Sequence, residues 1–230
     1  MKTVIDRANT RGHADYGWLN TWHTFSFADY YNPQRIHFGA LRVLNDDTVT
    51  PGMGFDTHPH KNMEVISIPL KGYLRHGDSL EHSEVISPGD IQVMSTGSGI
   101  YHSEFNDSKT ENLEFLQIWV IPRVNNTKPV YKSYDIHQEP LYSQNDFSCL
   151  PGGILQDAWF ALGKLEKGKK IGYHLHQKNT GVYCFVIEGE ICIEGTDLSR
   201  RDGMGITETD HFQVEARSEA YVLLIEVAMI

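Results

Sequence analysis

The chain has 230 residues, 40% of them hydrophobic, with 20 Lys and Arg against 30 Asp and Glu and a formal net charge of −10. That length holds one large all-β domain or two of about 100 residues, and either can bury a core. The acidic balance lacks the Lys and Arg clusters that grip phosphate backbones, so neither nucleic acid nor an anionic membrane is expected as a partner.

Taken from the start, Met1-Lys-Thr-Val-Ile-Asp-Arg has charges that interrupt any apolar run, so no secretory signal is expected. No segment approaches the roughly 20 apolar residues of a membrane helix, and a cytoplasmic protein follows. Residues 1–50 read as aromatic-rich and irregular, with Trp18, Trp22, Phe25, Phe27, Tyr30 and Tyr31 ahead of Pro33. Short strands are then expected over Ala40–Leu44, Glu64–Leu70, Glu84–Ile86, Ile91–Met94 and Leu113–Ile121. The breaks between them carry turn residues such as Asn45-Asp46-Asp47, Lys71-Gly72 and Ser87-Pro88-Gly89-Asp90. Short strands so punctuated indicate a sandwich or barrel.

Residues 1–122 form the expected first domain, residues 123–150 an interdomain connection, and residues 151–230 a second β-rich domain. Cys149, Cys184 and Cys192 are odd in number and match no zinc or redox spacing, so they read as core thiols in a reducing compartment. A two-residue hairpin turn at Glu188-Gly189 would set Cys184 opposite Ile193 and Cys192 opposite Phe185.

The candidate chemistry lies in two short stretches. His58 and His60, in Phe55-Asp-Thr-His58-Pro-His60, are two apart, so in an extended strand they share a face and can reach one ion together. His102 and Glu104, in Gly97-Ser-Gly-Ile-Tyr-His102-Ser-Glu104, repeat that spacing. If the fold makes these strands neighbours, they assemble a three-histidine, one-carboxylate site suited to iron, zinc, nickel, copper, cobalt or manganese. Glu64 nominally shares the ligand face and is a candidate fifth ligand or general base. His23 is a candidate hydrogen-bond partner for a ligand or substrate.

The halves echo one another. Gly52 stands six positions before His58 and Gly168 six before His174, which opens a second pair, His174-Leu-His176. Carrying the step from Gly89 to His102 onward from Gly203 lands on Ala216, with Ser218 in the place of Glu104. The second half is therefore expected to keep an incomplete ligand set, and the pair His174 and His176 a vestige.

These motifs resemble the cupin pattern: Gly52, His58, His60 and Glu64, then Gly97, Gly99, His102 and Asn106. Within cupins the chain resembles the pirin family, above all bacterial members described as quercetin 2,3-dioxygenases. Arg11-Gly-His, Gly17-Trp-Leu, His23-Thr-Phe-Ser-Phe, Leu41-Arg-Val-Leu-Asn-Asp-Asp and His58-Pro-His60 carry the likeness, densely over residues 11–121. The resemblance implies an all-β bicupin, two double-stranded β-helix barrels packed face to face. It also implies one metal, Fe(II) first, held by His58, His60, His102 and Glu104. The implied activity is oxygen-dependent cleavage of a flavonol with release of carbon monoxide, with Glu104 or Glu64 as base. A small-molecule flavonol and O2 are then the partners. Two competing readings are a non-enzymatic, metal-dependent regulator that binds a partner protein, and a cupin isomerase or lyase.

Overall fold

A computed structural model describes residues 1–136, 144–149 and 154–230. The described chain is built from antiparallel strands in four sheets. In the first half, a seven-stranded sheet has the order Val130–Asp135, Asp90–Ser95, Glu64–Lys71, Leu113–Val120, Leu41–Val49, Leu19–His23, Gly12–Asp15. Its companion is four-stranded: Gly54–His60, Ile100–Asn106, Leu74–Asp78, Ser83–Ile86. The second half repeats the plan with a six-stranded sheet and the four-stranded sheet Lys170–His174, His211–Ala216, Glu190–Ile193, Thr196–Ser199. Among the described residues no helix is long and apolar enough to cross a membrane.

Alternation along the central strands divides each large sheet into two faces. Leu44, Ile66, Ile68, Leu116 and Ile118 point from the first large sheet toward the second, where they share one core with Phe160, Phe185, Leu223 and Ile225. The two barrels are thus joined through their large sheets, back to back around the biggest apolar cluster. Strands buried on both faces lose the polar alternation of a half-solvated sheet, which is why Glu64–Lys71 reads as an almost continuous apolar run.

The opposite faces line the barrel interiors, and there the halves differ. The second barrel is filled by Tyr173, Cys184, Phe212, Val214, Met204 and their neighbours. The first holds two smaller clusters, one of Leu19, Val49, Leu74 and Phe115 and one of Val65, Met94 and Ile100, with polar residues between them.

Several expectations need correction. The irregular first 50 residues contain the strands Lys2–Asp6, Gly12–Asp15 and Leu19–His23. Lys2–Asp6 pairs with Gly203–Thr207 of the second barrel, where Asp6 accepts from Tyr183 at 2.8 Å and meets Arg35 at 2.9 Å. Asn45-Asp46-Asp47 makes no turn, for it lies inside the strand Leu41–Val49, with Asn45 and Asp47 buried. The expected connection contributes a strand, Val130–Asp135, to the first large sheet, while its residues 137–143 and 150 lie outside the described residues.

The hairpin at Glu188-Gly189 does not form. Thr180–Glu188 and Glu190–Ile193 belong to different sheets, and Gly189, at φ 83°, turns the chain from one to the other. Gly72 does the same in the first barrel at φ 81°. Any Cβ at Gly189 would fall 2.1 Å from the Glu219 carbonyl oxygen, so both conformation and space demand glycine. Cys184 and Cys192 are both buried free thiols.

Gly54 is a second close approach, because a Cβ there would sit 2.2 Å from the Glu104 carbonyl oxygen and 2.5 Å from the Phe105 Cα. Gly54→Ala is expected to push the two ligand-bearing strands apart at a cost of about 1–3 kcal/mol. Its denaturation midpoint and its metal content should fall together. Unchanged metal content at a lowered midpoint would separate strand spacing from metal binding.

Candidate metal centre

Gly54–His60 and Ile100–Asn106 are paired antiparallel neighbours, with His58 directly opposite His102. Between the pairs His102/His58 and Glu104/Phe55 the register shifts, two residues on one strand facing one on the other. This bulge lets Phe55 and His58, three apart, both turn inward.

The three imidazoles converge through their Nε2 atoms. His58 Nε2 is 3.1 Å from His60 Nε2 and 3.1 Å from His102 Nε2. His58 Nδ1 lies 2.7 Å from the Asp56 carbonyl, which can only accept, so the Nδ1 carries the proton and the Nε2 lone pair faces the cluster. Burial and the neighbouring rings push His60 down to about 4 and His102 down to about 3. Three imidazole nitrogens crowded toward one point repel without a cation between them. Bonds of about 2.1 Å at right angles would set such nitrogens about 3.0 Å apart, so the spacing fits a divalent ion. By this geometry His58, His60 and His102 form a group that could hold a metal ion.

Glu104 is buried beside them, and its carboxylate groups with His102 and His76. Ser67 donates to its Oε1 at 2.7 Å, Gln92 to the same oxygen at 3.3 Å, and Gln117 to Oε2 at 2.7 Å. These donors come from three strands of the large sheet and hold the carboxylate toward the imidazoles.

Glu64 is elsewhere. It shares strand parity with Ile66 and Ile68, so it faces the seam between barrels, where Ser95 donates to it in a short hydrogen bond. It does not line the cavity at the metal group. Burial pushes its carboxyl pKa up, with Ser95 and the Leu155 amide acting against that.

That cavity is about 330 Å³, walled by Phe27, Phe55, Trp119 and Leu19 and floored by His58, His60 and Glu104. Volume and apolar walls suit a flat aromatic ligand. Besides Gln117, four polar residues of the cavity, Thr21, His23, Asn45 and Asp47, sit on the large sheet. His23 is buried, with Nδ1 3.0 Å from Asn45 Oδ1, and burial pushes it down. Asp47, also buried, has an Oδ1 without a partner, and burial pushes its carboxyl up to about 7 despite a hydrogen bond from Thr21.

Asp47 and His76 were missed by sequence reasoning. Asn45-Asp-Asp47 imitates a turn. His76 had a usable signal: His76-Gly-Asp78 has the two-apart spacing of His102-Ser-Glu104, and its strand pairs with that strand, Glu104 opposite His76. His76 Nε2 meets Asp78 at 3.1 Å while its ring stacks on Tyr131 at 4.4 Å.

In the second barrel the strand register shows that the echo was counted out of phase. Phe212 pairs with Tyr173 as His102 pairs with His58, and Ile191 pairs with Ala216 as Leu74 pairs with Asn106. Phe212 and Val214 therefore stand in the places of His102 and Glu104, and Ala216 in that of Asn106. His174 is one residue off the ligand phase and exposed; His176 Nδ1 is engaged by the buried Glu226 at 2.8 Å. Among the described residues, the two groups able to hold a metal both include His102.

Residues 4–120 match the Pirin family model and residues 151–227 the quercetinase C-terminal cupin domain. The chain is 39% identical over 226 residues to the quercetin 2,3-dioxygenase of Escherichia coli K12, covering 97% of each chain. It is 35% identical over 236 residues to a pirin-like protein of Caulobacter vibrioides, covering 98% of this chain and all of that one. The crystal structure of the bacterial pirin YhhW of Escherichia coli in complex with nickel(II) superposes with a TM-score of 0.93 at 35% identity, covering 100% of both chains. With two cupin barrels, a histidine cluster in the first that could hold a metal, and relatives matched end to end, this chain belongs to the pirin family.

Proposed function

We propose that the protein is a metal-dependent dioxygenase that cleaves quercetin or a related flavonol with O2 and releases carbon monoxide. The observation that carries this reading is the facing triad of imidazoles on the floor of an aromatic cavity. The relatives named quercetin 2,3-dioxygenase support it. In this reading His58, His60, His102 and Glu104 hold the ion, with Fe(II) the first candidate and nickel(II), present in the YhhW crystal, the second.

A bound divalent ion supplies Lewis-acid polarisation and a template for substrate and O2. The chain's own residues do the rest. Phe27, Phe55 and Trp119 sandwich the flat ring system and keep water out. The flavonol 3-hydroxyl must give up its proton, and the geometry favours Asp47 as acceptor over either glutamate. Glu64 faces the seam, and Glu104 is held by three donors, whereas Asp47 lines the cavity, keeps an unpartnered oxygen and has its carboxyl pushed up to about 7. Both atoms of O2 end in the opened depside, and the carbon that bore the hydroxyl leaves as carbon monoxide.

Carbon monoxide release from quercetin, measured on protein loaded separately with iron(II), nickel(II), manganese(II), cobalt(II), copper(II) and zinc(II), tests the reading. Turnover dependent on one ion supports it. Stoichiometric metal binding with no carbon monoxide from any ion overturns it and moves the metal-dependent regulator, tested by partner binding, to the front.

A further inference from the structure

A second polar cavity, of about 270 Å³, opens on the seam between the barrels, lined by Arg11, Trp22, Asp46, Arg200 and Arg201 among others. Its chemistry differs from that of the metal centre. Arg11 and Arg201 have side chains only 4% and 5% exposed, yet both turn to a single oxygen, Oδ2 of Asp46. Arg11 Nη2 donates to it at 3.3 Å. Arg201 Nε lies 3.0 Å from it without hydrogen-bond geometry.

The remaining donors are poorly served. Arg11 Nε and Nη1 are buried without any hydrogen-bond partner, and the guanidinium lies between the Trp22 and Phe185 rings at 5.7 and 5.5 Å. Arg201 Nη1 donates to the Ile187 carbonyl at 2.6 Å, and its Nη2 is 3.9 Å from Glu188, which Arg200 already grips at 2.8 Å. Three guanidiniums at the pocket therefore face two carboxylates, Asp46 and Glu188, leaving one positive charge in excess. Glu114 is offset by Lys71 at 3.9 Å. Buried cations with orphaned N–H groups cost several kcal/mol unless an anion meets them, and guanidinium forks match tetrahedral oxyanions. On a chain of net charge −10 this pocket stands out.

We propose that this seam pocket is a second ligand site, which binds a small phosphate-class oxyanion through Arg11 and Arg201. The ligand is free phosphate or the phosphate group of a small metabolite. Both barrels contribute donors, since Arg11 leads into the strand Gly12–Asp15 of the first and Arg201 lies between Thr196–Ser199 and Gly203–Thr207 of the second. Occupancy would therefore tie the barrels together at a pocket that shares no lining residue with the cavity at the metal group.

The test is titration calorimetry of the metal-loaded full chain with inorganic phosphate and, separately, with a phosphomonoester, at fixed ionic strength. Saturable binding is expected, with the tighter arm identifying the source. Asp46→Asn removes the competing carboxylate while keeping its shape, and should tighten binding by about tenfold. Arg201→Gln should abolish binding, and His58→Ala, which alters the metal centre, should leave it unchanged. No saturation by the parent chain up to about 10 mM, equal affinity in Asp46→Asn, or loss in His58→Ala would each overturn the proposal.

Discussion

Asp47→Asn is expected to gain stability while losing activity. The wild-type carboxyl is buried in the cavity wall and pushed up to about 7, against 3.8 for the ordinary side chain. Between those values the native state holds a proton that the unfolded chain has released, so the group's contribution to stability falls as pH rises from about 4 to about 7 and is flat above. The shift corresponds to about 4 kcal/mol at most. An amide carries no such penalty, so the metal-free variant should be more stable than wild type above pH 7 and equal to it near pH 4. Chemical denaturation across that range measures the difference, and a constant gap would remove the ionisation as its cause. Loading the ion should shrink the gap, because a nearby cation favours the carboxylate. Turnover should drop by about 10²- to 10⁴-fold at neutral pH, the usual worth of a positioned base. Full activity in Asp47→Asn would return the proton to Glu104.

The second large effect is at His102. His102→Ala should empty the metal centre and abolish flavonol cleavage, because His102 supplies one of the three converging nitrogens and lies beside Glu104 as well. Loss of metal affinity should exceed the 10–100-fold typical of residues that only support ligands. Metal content after dialysis and carbon monoxide release, measured on the same sample, read both. The metal-free wild type also predicts the direction of an acid effect. Native His102 and His60 titrate at about 3 and about 4, below the ordinary 6.5, so the unfolded chain binds these protons first. Their contribution to stability is full above about pH 6.5 and declines as pH falls toward 4. A His102→Ala variant that retains metal would break the assignment of the triad.

The clustering of His58, His60, His102 and Glu104 was legible because each half of it is local. His58-Pro-His60 and His102-Ser-Glu104 each put two donors on one strand face, and only the adjacency of the strands had to be supplied by the fold. Glu64 misled because parity does not survive the break at Lys61-Asn62, where Asn62 sits at φ 52° and the next strand starts afresh. The echo at His174 misled by one residue, and a one-residue slip sends every side chain to the opposite face. Asp47 was hidden by composition: Asn and Asp belong to turns in general, and a strand retains them where its inner face lines a polar cavity. The first 50 residues looked irregular because two of their strands are short and the first finds its partner only at Gly203–Thr207.

That last pairing bears on how the molecule is made. Lys2–Asp6 leaves the ribosome long before Gly203–Thr207 exists, a wait on the order of ten seconds or more at 5–20 residues per second. Until then the strand has no ladder to join, and Asp6 lacks Tyr183. The first barrel can close around its metal ligands during synthesis, but the second acquires its outermost strand only after most of its own chain has emerged. The pairing of Lys2–Asp6 with Gly203–Thr207 thus joins a strand that precedes the first barrel to the sheet of the second, and parting the barrels requires breaking that ladder.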